Sequence, residues 1–251
     1  MMKPGLVSIT LRKHSPVEIV DLCVRAGLKG IEWGGDVHVP HGDLRRAREV
    51  AAATRGAGLA VSSYGSYYRP ESDKSPAWNE VLQTAILLGA PVIRAWAGPR
   101  ASDQVDEKER IKIVDDLRRC AESARAANVR LALEYHANTL TDTNESAQRL
   151  ARELEGSGAL FYWQPPNRMP HGEALAGLQA LADNVCALHV FSWATSGDGI
   201  ERLPLEAGED RWREYLPEAT RADWALLEFV KDDDPEQVVR DARCLRSWLE
   251  E

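Results

Sequence analysis

The chain has 251 residues, 44% of them hydrophobic, enough to bury one substantial core. Its formal net charge of -8 argues against a broad electrostatic grip on nucleic acid or on an anionic membrane, because phosphate binding needs clustered Lys and Arg. The four cysteines, Cys23, Cys120, Cys186 and Cys244, form no C-x-x-C pair, so neither a zinc ribbon nor a disulfide framework is indicated and free buried thiols are expected. No segment joins a basic start, an apolar stretch and a small-residue cleavage site, and no apolar run is long enough to span a bilayer; a cytoplasmic protein is the expectation.

In chain order, the first β-like run is LVSIT, around Ser8. Ser15-Pro16-Val17-Glu18 follows, an N-cap serine, a proline at the first helical position and a capping-box glutamate, which opens a helix toward Gly27. GIEW, around Glu32, precedes the loop GGDVHVPHGD and a helical stretch from Leu44 to Arg55, with Gly56 as its stop. AVSSY carries Ser62, and Ser75-Pro76 repeats the cap-plus-proline device before Trp78 to Leu88 and Gly89. VIRAW, with Arg94, leads to Glu107 to Ala127; RLALEY, with Glu134, leads to Asn144 to Leu154 and Gly156. LFYW ends at Gln164, ALHVF carries His189, and WALLEF carries Glu228 before Asp234-Pro235 and a last helix, Glu236 to Leu249.

The gaps between those marker residues are 24, 30, 32, 40, 30, 25 and 39, each long enough for one helix and two loops. Strands alternating with helices at this spacing predict βα units and a parallel sheet. Eight of them predict an α/β fold, a (β/α)8 TIM barrel, as one domain over 1-251. A doubly wound open sheet is the alternative, although its G-x-G-x-x-G signature after the first strand is absent.

In such a barrel the chemistry sits at the C-terminal ends of the strands, where Glu134, Gln164, His189 and Glu228 end four consecutive strands. Neighbouring parallel strands are about 4.8 Å apart, so these side chains can converge. Two carboxylates, an amide oxygen and an imidazole suit one divalent metal ion, Mn²⁺, Mg²⁺, Co²⁺ or Zn²⁺. The alternative is four separately satisfied polar groups, with Glu134 paired to Arg94 and His189 bonded to backbone.

These runs resemble the sugar phosphate isomerase/epimerase superfamily, the xylose-isomerase-like barrels that include tagatose epimerases, hydroxypyruvate isomerases and inosose dehydratases. The likeness extends from VSITLR through GIEWGGDVHVPHGD, LALEYHANTLTDT and ALHVFSW to ALLEFVKDD. It implies a metal-dependent isomerase or epimerase acting on a small sugar or polyol through an enediolate, with Glu134 and Glu228 as the acid-base pair. A keto-inositol-type dehydratase and a non-catalytic sugar-binding barrel are the alternatives, and a homodimer is a further expectation of the resemblance. One departure stands at the sixth strand. Better-known epimerases have a metal-binding Asp there, followed three residues later by a substrate-binding His; this chain has Gln164-Pro165-Pro166-Asn167, which puts Asn167 in the substrate position.

Around that centre the expected substrate contacts are His38, Arg94, Trp96, His136, Asn167 and Trp193. Trp33, Trp96, Trp163 and Trp193 all stand near strand ends, where indoles pack on sugars or simply fill the core. Arg94 faces either a substrate oxygen or Glu32, and His136 either the substrate or Glu134. The turn from Ser196 to Gly199 is a candidate phosphate site or the tip of a mobile lid reaching to Asp223, with Trp212 and Tyr215 as anchors.

Overall fold

A computed structural model describes residues 1–196 and 199–250. Eight parallel strands close into a barrel in the order β1-β10-β7-β6-β5-β4-β3-β2. They are β1 (Lys3–Val7), β2 (Gly30–Gly34), β3 (Ala60–Gly65), β4 (Val92–Trp96), β5 (Arg130–Glu134), β6 (Leu160–Trp163), β7 (Val185–Val190) and β10 (Trp224–Leu227). A two-stranded antiparallel hairpin, β8 (Ser192–Ser196) and β9 (Gly199–Leu203), follows β7. The helices are α1 (Pro16–Ala26), α2 (Leu44–Gly56), α3 (Trp78–Leu88), α4 (Glu107–Ala126), α5 (Asn144–Glu153), α6 (His171–Leu181), α7 (Glu209–Glu218) and α8 (Pro235–Glu250). Strands covered on both faces read as continuous apolar runs, which is why VIRAW and LFYW stand out in the sequence.

The local signals act as read at several joints. Ser15 and Glu18 form a complete capping box, and Gly27 ends α1 in the left-handed conformation at φ 71°. Asp106 and Glu109 form a second capping box at α4, and Thr143 caps α5.

Others differ. Ser8 lies beyond β1 in a 3-10 turn, Ser8–Leu11, which carries the chain over the barrel mouth. Ser75 does not cap α3: its hydroxyl accepts from the Arg69 backbone N–H, and Ala77 occupies the cap position. Gly56 stays helical, and the left-handed turn after α2 falls on Gly58 at φ 76°. Helices α6 and α7 carry no Ser, Thr, Asp or Asn cap, only Pro170 and Gly208, so they gave no start signal. The stretch after β7 is the hairpin followed by α7. Trp212 and Tyr215 are buried and hold that stretch, with Trp212 Nε1 donating to the Phe191 carbonyl at 2.7 Å. Gly197 and Asp198 of the candidate phosphate turn lie outside the described residues.

Among the described residues no helix is long and apolar enough to cross a membrane. Cys23, Cys120 and Cys186 are buried free thiols, and Cys244 is a partly exposed one.

Candidate active site

The barrel interior near its C-terminal mouth holds a chain of buried charges. Arg94 on β4 donates from Nε to Glu32 Oε1 at 2.6 Å and from Nη1 to Glu134 Oε2, so one guanidinium bridges β2 and β5. Ser63 on β3 donates to the other Glu32 oxygen at 2.8 Å. The register explains the reach: Trp96 lies beside Glu134 across the β4–β5 ladder, and its indole Nε1 donates to Glu134 Oε2 at 2.5 Å. The β5 end is fixed from below by the Thr141 hydroxyl, which donates to the Glu134 carbonyl at 2.6 Å.

His189 on β7 is fully buried among three carboxylates. Its Nδ1 is 3.5 Å from Glu134 Oε1 and 3.4 Å from Glu228 Oε2, and its Nε2 is 3.6 Å from Glu32 Oε2. Neither ring nitrogen makes a hydrogen bond. One ligand atom from each of Glu134, His189 and Glu228 lies within 4.8 Å of the others.

Three carboxylates against one guanidinium leave this pocket at a charge of -2 when the imidazole is neutral. The proton affinities report that excess. Burial pushes the Glu228 carboxyl up to about 7, helped by Glu134 and Glu32 and only partly opposed by His189. Burial alone would lower His189, but Glu228 and Glu32 raise it to about 10. Glu32 and Glu134 would likewise rise on burial, yet Arg94 and His189 outweigh that, holding Glu32 at about 2 and Glu134 well below the usual carboxylate range. A divalent cation would supply the charge this cluster lacks, and a buried imidazole without a hydrogen bond, flanked by two carboxylates, is a suitable donor set for it. The residues present therefore fit the ion that the sequence suggested.

Above the cluster opens a cavity of about 340 Å³, lined by Glu134, Glu228 and Arg94 and by the aromatic rings of Tyr67, Trp96, Trp193 and Phe229. Tyr67 and Phe229 hold left-handed backbone at φ 55° and 48°, which costs a non-glycine residue about 1–3 kcal/mol and is common where a side chain must be aimed at a ligand. Residues 20–248 match the family described as the xylose isomerase-like TIM barrel. The chain belongs to that family.

Solved structures agree with this xylose isomerase-like assignment over nearly the whole length. The probable 3-DHS dehydratase AsbF of petrobactin synthesis from Bacillus anthracis superposes with a TM-score of 0.80 at 20% identity, covering 98% of this chain and 99% of that one. A xylose isomerase-like TIM barrel protein from Mycobacterium smegmatis in complex with magnesium gives 0.73 at 14% identity, covering 99% and 97%. An L-ribulose 3-epimerase gives 0.72 at 18% identity, covering 100% and 95%. At such identities the likeness speaks for the fold. No curated protein matches the chain.

Within this xylose isomerase-like barrel the residues singled out by sequence fall into three groups. Glu134, His189 and Glu228 come together as expected. Gln164 stands just past β6 beside them, but its amide nitrogen faces the cluster, donating to Glu134 Oε1 at 3.2 Å and to the Tyr135 carbonyl at 2.9 Å. Its oxygen reaches an ion only if the amide turns over.

Trp96, His136, Asn167 and Trp193 line the cavity, with His136 stacked on Trp96 at 4.5 Å. Arg94 is also among the lining residues, and its guanidinium makes the Glu32 ion pair that was one of its two sequence readings.

His38 is not on the cavity wall. It is 1% exposed, with Nδ1 against Ser8 Oγ at 2.9 Å and Nε2 against the His14 carbonyl at 3.2 Å, a core histidine that ties the first two βα loops together. Trp33 and Trp163 are also fully buried, Trp33 donating to Thr54 Oγ1 at 3.2 Å. The sequence reading missed Arg12, Tyr67 and Phe229 on the cavity wall; their signal was position alone, just beyond the strand ends.

Proposed function

We propose that this barrel is a divalent-metal-dependent enzyme that removes the proton beside a carbonyl of a small sugar or polyol derivative, acting as an isomerase or epimerase. The observation that carries this reading is His189, fully buried, without a hydrogen bond at either ring nitrogen, and facing Glu134 and Glu228 at the floor of a cavity. Glu134, His189 and Glu228 would hold the ion, with Gln164 beside them. When bound, the ion supplies Lewis acidity that stabilises negative charge on the substrate oxygens as the proton leaves.

The two glutamates are not equivalent. Glu134 Oε2 already accepts from Arg94 and Trp96, and its Oε1 accepts from Gln164. That carboxylate is a fixed anion. Glu228 accepts no side-chain or backbone hydrogen bond from the described residues and faces the cavity, which leaves its carboxylate free to take up and return a proton. Glu228 is therefore the residue that moves the proton, and Glu134 the residue that keeps the charge in place. Trp96, Trp193, Tyr67 and Phe229 surround the reacting carbons and exclude water.

A second reading, dehydration, is favoured by the Bacillus anthracis likeness and by Gln164 in place of an acid on the sixth strand. It shares the proton removal and differs in the fate of the enolate, which expels a hydroxyl group as water. Both readings are tested by NMR-detected deuterium uptake from D₂O into a panel of ketoses and keto-polyols with Mn²⁺ supplied. Exchange beside the carbonyl, without loss of mass as water, supports isomerisation. Water loss moves the assignment to a dehydratase, and no exchange across the panel contradicts both.

A further inference from the structure

Next to the catalytic cavity lies a second one, of about 390 Å³, and the two share Pro165, Pro166, Asn167, Phe191 and Trp193 as a common wall. The Phe191 and Trp193 rings stack at 4.0 Å in that partition. The outer wall comes from the β8–β9 hairpin and from α7, which contributes Arg211 and Tyr215. This wall is well anchored: Trp212 is tied to the Phe191 carbonyl, and the Tyr215 hydroxyl lies 2.8 Å from His171 Nδ1 on α6.

The charge distribution separates the two spaces. In the catalytic cavity each guanidinium is matched by a carboxylate, Arg12 by Asp36 at 3.0 Å and Arg94 by Glu32 and Glu134. Among the described residues that line the second cavity there is no Asp or Glu, while Arg211 stands on its α7 wall. The Arg211 side chain makes no hydrogen bond or ion pair with any described residue and acts electrostatically on Tyr215 of the same wall. Two polar groups close to the partition are also buried without a partner, Trp193 Nε1 and Ser192 Oγ, the latter packed against Gly208 of the cavity lining. A concave wall that presents the Arg211 guanidinium, whose side chain has no ion-pair partner among the described residues, is complementary to an anion. The two cavities meet at this shared wall, so an anion seated in the second lies beside the catalytic cavity.

We propose that the second cavity is a subsite of the same active site and takes an acidic group, a carboxylate or a phosphate monoester, at the end of the substrate remote from the reacting carbon. This assignment rests on the catalytic reading given above. It makes the substrate an acidic sugar derivative, and Arg211 the residue that selects it.

The test is isothermal titration of the Mn²⁺-loaded protein with three keto sugars that differ only at the far carbon: D-fructose, D-fructose 6-phosphate and D-fructuronate. At least one of the two acidic sugars is expected to bind at least about tenfold more tightly than D-fructose, as a charge-assisted contact implies. The stronger of them identifies the group. Arg211→Ala is expected to remove most of that preference, Arg211→Lys to keep part of it, and Arg211→Glu to abolish binding of the acidic sugar. Arg211 is on the protein surface, so these variants should fold, and circular dichroism checks that they do.

The subsite is overturned if neither acidic sugar binds saturably, if all three bind alike, or if the preference survives in Arg211→Glu. Deuterium exchange scored in the same samples separates the two proposals. Selective binding without exchange removes the catalytic reading and leaves the subsite, whereas exchange without selectivity removes the subsite alone.

Discussion

His38 and His189 are both fully buried, one beside the second strand and one on the seventh, and they end in opposite states. Both ring nitrogens of His38 have hydrogen-bond partners in Ser8 and His14; neither ring nitrogen of His189 makes a hydrogen bond, and three carboxylates stand 3.4–3.6 Å from them. The same contrast divides the barrel. Around β1 to β3 the polar side chains at the mouth close on one another, Glu32 with Arg94 and Ser63, Tyr64 with the Val39 carbonyl, Ser8 with His38 and the Gly34 N–H. Around β5, β7 and β10 they converge and leave donor atoms open. A buried polar atom without a hydrogen bond is costly, and a cation held among these carboxylates is the partner proposed for it.

The comparison breaks first at the glutamates. Glu228→Gln, which removes the group that moves the proton, is expected to reduce deuterium exchange into a competent substrate by about 10²- to 10⁴-fold, and Glu134→Gln, which removes the fixed charge, by more than about tenfold, both with the fold intact. Retention of more than about a tenth of the rate by either variant would remove that residue from the chemistry.

The two histidines give the sharper contrast. His189→Ala should weaken Mn²⁺ binding by about a hundredfold, the scale expected on losing a ligand or its support. His38→Ala should leave the Mn²⁺ affinity within about twofold while costing about 2–4 kcal/mol of stability, because it strands the hydroxyl and carbonyl that the ring satisfies. Equal effects of the two on metal affinity would erase the distinction.

Removing the ion is the next test. At a metal concentration a hundred times its Kd, chelation should cost about 2.7 kcal/mol of stability, read as a lower Tm that added Mn²⁺ restores. The smallest expected effect is at Trp96→Phe, which deletes one donor to Glu134 and keeps the ring against His136; exchange should fall by about five- to tenfold. Loss of metal affinity in this variant would show that Trp96 supports the ligand shell instead of the carboxylate's fixed charge.

Much of this arrangement was legible in the sequence, for reasons that particular residues make plain. Eight apolar runs at βα spacing gave the barrel, since parallel strands buried on both faces leave little alternation to confuse with helix. Glu134, His189 and Glu228 were visible because a charged or imidazole side chain at the end of such a run has few reasons to be there. His38 misled because sequence shows a residue's position and not its partners: both histidines follow apolar strands, and only coordinates reveal that Ser8 and the His14 carbonyl meet the first. Gln164 was placed correctly, but the direction of an amide is set by a three-dimensional network, here the Glu134 carboxylate and the Tyr135 carbonyl. Helices α6 and α7 escaped because they begin at Pro170 and Gly208, without a capping side chain. Arg211 had no signal at all, since an arginine in a helical stretch is ordinary until coordinates place it on a cavity wall.

The central claim, that Glu134, His189 and Glu228 hold one divalent cation, is tested most directly by calorimetric titration of Mn²⁺ into the chelator-stripped protein and its His189→Ala variant. The account predicts one ion per chain for the native sequence, with affinity lost by about a hundredfold in the variant. Saturable binding that His189→Ala leaves unchanged, or no saturable binding to the native chain, would contradict it.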